Sequence, residues 1–135
     1  MYSLYFDGAS RSNPGPASYG GVIYDKNNTE LCVYNDYVGK TTNNVAEYLG
    51  LFAGLKVCKD NNIKNLIVYG DSKLVIEQVK GNWKVKSENL KPIYNEIKNL
   101  LDEHKFEHIE FNHVLRKFNK RADELANFAL DERIK

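Results

Sequence analysis

Asn65-Leu66-Ile67-Val68-Tyr69-Gly70-Asp71-Ser72 is the stretch whose reading decides the fold. Its first six residues are apolar almost without interruption, as expected of a central strand buried on both faces. Asp71 then stands at the strand's carboxyl end, where open α/β sheets place their ligands. Leu74, Val75 and Val79 follow at helical spacing, so Asp71 or Ser72 also reads as the N-cap of a helix. Capping does not exclude a second role as a metal ligand.

Upstream, the period is that of strands. Residues 2–7 are rich in Tyr, Leu and Phe and read as a first strand carrying one acid, Asp7. An acid closing an apolar run is costly to bury unpaired, so it requires a cation, a metal or water. Gly8 beside it allows close approach to the backbone. Asn13-Pro14-Gly15-Pro16 closes a tight non-helical loop. Tyr19 to Tyr24 and Leu31 to Val38, parted by the polar turn Asp25-Lys26-Asn27-Asn28, complete an antiparallel meander. The period changes after Thr41-Thr42-Asn43-Asn44, which offers several N-caps. From Val45 to Cys58 the chain is apolar on nearly every side, which describes a buried helix, and Ala46, Gly50, Ala53 and Gly54 suit close packing on a sheet. Glu47 is placed in its first turn, either to favour the helix dipole or to join a site at that end of the sheet.

Downstream, Gly81 breaks the second helix and Asn82-Trp83-Lys84-Val85-Lys86 forms a basic turn. Leu90 to Leu101 is amphipathic, with Pro92 tolerated in the first turn. Glu107 to Val114 alternates as a last strand. Arg116-Lys117-Phe118-Asn119-Lys120-Arg121 is a basic loop. Ala122, Leu125, Ala126 and Ala129 mark a final helix, with Asn119 as its cap and Asp123 in its opening turn.

Composition bounds the function class. At 135 residues the chain reads as a single domain, residues 1–135, with an ordinary apolar fraction of 42% and charged fraction of 27%. No apolar run approaches the roughly 20 residues that span a bilayer, and no signal peptide opens the chain. The expected compartment is the cytoplasm, or the nucleus of a eukaryote, and the expected state a monomer. Cys32 and Cys58 lie far apart in apolar contexts and read as reduced core thiols. The net charge of +1 is weak evidence for or against nucleic acid, because an acidic cluster would cancel basic contacts elsewhere.

Four acids share one setting: Asp7, Glu47, Asp71 and Asp123 each border an apolar segment, and each comes from a different element. Gathered together they would repel and raise one another's pKa. Hard divalent cations remove that conflict, and a carboxylate set without His or Cys suits magnesium and phosphodiester chemistry rather than zinc.

These residues carry a resemblance. Phe6-Asp7-Gly8-Ala9-Ser10 with Asn13-Pro14-Gly15-Pro16, Thr41-Thr42-Asn43-Asn44-Val45-Ala46-Glu47-Tyr48, Val68-Tyr69-Gly70-Asp71-Ser72, and Asn119-Lys120-Arg121-Ala122-Asp123-Glu124-Leu125-Ala126 resemble, in this order and spacing, a type 1 ribonuclease H of the archaeal-type branch. The resemblance implies an α/β fold: a five-stranded mixed sheet, its first three strands antiparallel, flanked by helices. It implies an endonuclease that cuts the RNA strand of RNA–DNA hybrids with two Mg2+ ions, or Mn2+ in their place, leaving 5′-phosphate and 3′-hydroxyl ends. Asp7 would bridge both ions, Asp123 would serve the one that activates water, and Glu47 and Asp71 the one beside the leaving oxygen.

By the same resemblance, Asn13, Asn43 and Asn44 face the hybrid near the site, where amides can test for a 2′-hydroxyl. Thr42 helps hold a DNA phosphate, and Ser72 joins the substrate-facing set. Lys73 stands where many relatives have glutamine, which favours phosphate contact over base contact. Trp83 has two readings, packing on a deoxyribose or serving as a core or interface residue. A mobile histidine usually precedes the last acid. Counting residues back from Asp123 gives His113, whereas aligning the end of the last strand gives Arg116. Arg116 is favoured; it cannot act as a base at neutral pH and would bind phosphate or aid release. Double-stranded RNA is a further substrate that some related branches accept.

Overall fold

The structure, a computed structural model, describes residues 1–133. Five strands and four helices follow in the order β1 (Tyr2–Ser10), β2 (Gly15–Tyr24), β3 (Glu30–Thr41), α1 (Asn43–Asp60), β4 (Asn65–Gly70), α2 (Lys73–Lys80), α3 (Lys91–His104), β5 (His108–His113) and α4 (Lys120–Arg133), with a single 3-10 turn at Arg116–Phe118 before α4. The strands form one mixed sheet ordered β3-β2-β1-β4-β5. The first three pair antiparallel, and β4 runs parallel to both β1 and β5.

Alternation along β1 divides its work between the two sheet faces. Leu4 and Phe6 are fully buried and join Tyr48, Leu51 and Leu55 of α1 and Val68 of β4 in the main core. The opposite face receives α4: a Cβ on Gly20 would lie 2.5 Å from the Ala126 nitrogen, so only glycine lets that helix approach. Gly8 does the same for α1, since a Cβ there would lie 2.6 Å from the Glu47 nitrogen. The two contacts hold the paired strands β1 and β2 between helices at the register where Asp7 faces Gly20.

The sequence-based expectations hold for every element, β4 to the residue, and several details change. β1 and β2 run longer, so Gly15 and Pro16 belong to β2 and the loop shrinks to residues 11–14. It is held by Ser12 Oγ donating to the Pro14 carbonyl at 2.8 Å, and its Asn13-Pro14 peptide is cis. α1 begins at Asn43 with Thr42 as N-cap, its Oγ1 accepting from the Val45 N–H at 3.2 Å. Glu47 therefore lies in the second turn, not the first, and the helix-dipole reading loses its basis. Trp83 is 45% exposed, which corrects the core reading. Both cysteines are free, but only Cys58 is buried; Cys32 is half-buried on the outermost strand, β3. Among the described residues no helix is long and apolar enough to cross a membrane.

Candidate active site

The parallel pairing of β1 and β4 ends at Phe6 opposite Gly70. The next residue on each strand is an acid, Asp7 and Asp71. β1 continues toward β2 and β4 turns into α2, so the two chains part and leave a crevice, the place where an open sheet accepts a ligand. α1 brings Glu47 into it. Oxygens of Asp7, Glu47 and Asp71 all lie within 4.8 Å of one another. Asp7 and Glu47 are buried; Asp71 is half-buried. Asp123, in the first turn of α4, lines the same cleft of about 490 Å³.

Electrostatics match the crowding. Burial, and next the charge of Glu47, push the Asp7 pKa far above the carboxylate range, with Asp71 and Asp123 acting in the same direction. Burial also raises Glu47, with the Asp71 charge acting in the same direction, against the downward pull of the neighbouring Asp7 and Gly8 and of the Arg116 charge. Glu47 Oε2 is buried with no hydrogen-bond partner among the described residues. An orphaned carboxylate oxygen beside two more acids is the donor set of a hard divalent cation, which takes oxygen ligands and relieves both the repulsion and the lost solvation.

Two asparagines hold the acids in place. Asn119 is 1% exposed. Its amide donates to Asp71 Oδ2 at 3.2 Å and to the Phe6 carbonyl at 2.9 Å. Asn119 also caps α4, as expected from the sequence, through its backbone carbonyl, which accepts from the Asp123 N–H at 3.1 Å, while its side chain serves the acids. Asn127, one turn beyond Asp123, donates to Asp123 Oδ1 at 3.0 Å. The sequence reading missed Asn127; its i+4 spacing from an acid was the available signal.

The remaining candidates fall into two groups. Asn43, Asn44, Ser72 and Arg116 line the cleft with the acids. Arg116 Nη2 stands 3.6 Å from Asp123 Oδ1 on an 80% exposed side chain. Asn43 is fixed from both sides: its N–H donates to Asn13 Oδ1 at 3.0 Å, and its Oδ1 accepts from Ser10 Oγ. Ser72 is also the N-cap of α2. Outside the lining, Asn13 acts through Asn43, and Thr42 through its cap. Lys73 Nζ lies 6.0 Å from the centre of the exposed Trp83 ring. His113 is an exposed strand-end residue opposite Gly70 and does not line the cleft.

Comparison with known proteins agrees with this geometry. A family described as reverse transcriptase-like matches residues 5–129. The chain is 44% identical over 126 residues to the bifunctional protein Rv2228c of Mycobacterium tuberculosis, covering 93% of this chain but 34% of that protein. It is 40% identical over 128 residues to ribonuclease HI of Halobacterium salinarum, covering 95% of this chain and 63% of that enzyme. It thus spans only part of the length of both relatives. The crystal structure of LC11-RNase H1 in complex with an RNA/DNA hybrid aligns over 100% of both chains at 37% identity with a TM-score of 0.94.

Proposed function

Because this chain belongs to the type 1 ribonuclease H family, we propose that it is an endonuclease cleaving the RNA strand of RNA–DNA hybrids, leaving 5′-phosphate and 3′-hydroxyl ends. The observation that carries the reading is the set of three carboxylates converging within 4.8 Å, one of them with an orphaned buried oxygen. Asp7, Glu47, Asp71 and Asp123 would hold Mg2+, or Mn2+ in its place. Two such ions supply a more acidic attacking water and charge neutralisation at the leaving oxygen.

The chain's own residues do the rest. Asn119 and Asn127 orient Asp71 and Asp123. Arg116, exposed and 3.6 Å from Asp123, meets the phosphate and assists product release. Asn43 and Asn44 present amides that donate to and accept from a 2′-hydroxyl, which separates an RNA strand from DNA. Lys73 and Trp83 stand together to receive the DNA strand by charge and by packing. The described residues act as one catalytic unit, a cytoplasmic monomer in this reading.

A hybrid labelled on the RNA strand, double-stranded RNA and double-stranded DNA, each with Mg2+, Mn2+ or chelator, test the proposal. The expected result is metal-dependent cutting of the hybrid. Cutting of double-stranded RNA as well would widen the substrate class. Tight hybrid binding without cutting would make the chain a binding module.

A further inference from the structure

A second cleft, of about 420 Å³, opens on the sheet face opposite α1. We infer that it receives an unpaired nucleotide where a hybrid passes into a single-stranded RNA extension. The inference rests on the hybrid-cleaving reading above.

Its floor is aromatic. Tyr5 of β1 and Tyr24 of β2 line it; Tyr69 of β4, the register partner of Tyr5, lies outside the lining and backs Tyr5 by ring stacking at 4.7 Å and 19°. Tyr24 of β2 meets Tyr5 edge-on at 5.7 Å and 87°. Phe118 forms a wall and is 62% exposed, a large apolar ring turned to solvent rather than into the core. Its rim is basic: Lys117 Nζ lies 5.1 Å from the Phe118 ring centre, and Lys120 lines the same cleft. Among the described residues neither lysine has an ion pair, whereas the neighbouring Arg121 is neutralised by Glu30 at 2.8 Å and Glu124 at 3.2 Å. Unpaired cations beside a solvent-facing ring and a tyrosine floor complement a planar base with its phosphate. The volume suits a ligand of that size.

Proximity to the catalytic cleft selects the occupant, although the two clefts share no lining residue and the buried Asn119 stands between them. Tyr5 and Tyr69 precede Asp7 and Asp71 by two residues, on the same sheet face and about 7 Å away along the strands. Asn119 lines the tyrosine cleft while it donates to Asp71. A strand leaving the carboxylates in this direction meets the aromatic floor within one nucleotide or so, which favours the substrate's own unpaired end over a free nucleotide.

The test is fluorescence-anisotropy binding, in chelator, of a blunt hybrid and of the same hybrid with a short single-stranded RNA extension. Wild type is compared with Phe118→Ala and with the double variant Lys117→Ala/Lys120→Ala. The extension should tighten wild-type binding about tenfold or more, the scale of one base stacked on an aromatic ring. Both variants should lose that gain while cleaving the blunt hybrid with Mg2+ as wild type does. Equal wild-type affinity for the two hybrids would overturn the inference, as would a gain that survives Phe118→Ala. Binding of adenosine monophosphate with no gain from the extension would also overturn it, in favour of a free nucleotide. Failure of the wild type to cleave the blunt hybrid would instead contradict the function on which the inference rests.

Discussion

Asn119 holds Asp71 through a 3.2 Å hydrogen bond while its amide also donates to the Phe6 carbonyl at 2.9 Å. One buried side chain thus joins the place where the β1–β4 pairing stops to the start of α4. Asn119→Ala leaves the Phe6 carbonyl without its donor, a loss of about 1–3 kcal/mol in stability. It also frees Asp71, so the Mg2+ concentration for half-maximal cleavage should rise. A purely structural role would lower the melting temperature and leave that concentration unchanged.

Gly8 sets how closely α1 approaches β1. A Cβ would lie 2.6 Å from the Glu47 nitrogen and 2.8 Å from the Ala46 carbonyl carbon, both backbone atoms that can yield only by moving the helix. Gly8→Ala should cost about 1–3 kcal/mol by denaturant unfolding and weaken Mg2+ binding by displacing Glu47. Unaltered Mg2+ affinity would mean that this contact does not position the site.

The crowded acids make the metal-free protein sensitive to pH. Asp7 and Glu47 both titrate above their ordinary values, Glu47 at about 7. Raised carboxyl groups favour the folded state fully below the ordinary carboxylate range, and that contribution is lost as pH rises through the folded values. In chelator, the melting temperature should therefore fall between about pH 5 and pH 8, and Mg2+ should restore part of it. Asp7→Asn should flatten the dependence and raise the melting temperature at neutral pH in chelator. A melting temperature that climbs over this interval would contradict the assignment.

Arg116 reaches the acids and His113 does not. Arg116→Ala should slow turnover by about tenfold or more, the scale of removing one cationic contact to a reacting phosphate. His113→Ala should leave turnover unchanged. Equal effects of the two substitutions would remove the distinction.

Much of this was legible in the chain itself. β4 announced itself through the apolar run Leu66–Tyr69 closed by Gly70 and Asp71, although it is not buried on both faces as expected: Leu66, Val68 and Gly70 are buried, while Asn65, Ile67 and Tyr69 on the other face are half-buried. The four acids could be named because each interrupts an apolar segment. What stayed hidden depends on contacts distant in sequence. Glu47 was placed one turn too early, because Thr42, Asn43 and Asn44 all cap equally well on paper. Asn119 looked like a helix cap, and only the fold brings it to Phe6 and Asp71. Trp83 could not be placed without knowing whether the turn after α2 is covered; it is exposed beside Lys73.

The most direct measurement is cleavage of a labelled RNA–DNA hybrid by wild type, Asp7→Asn and Asp71→Asn under saturating Mg2+, with circular dichroism of each variant. The account predicts cutting by wild type, abolished by chelator, and no cutting by either folded variant. Retained cleavage in both variants would contradict the carboxylate site.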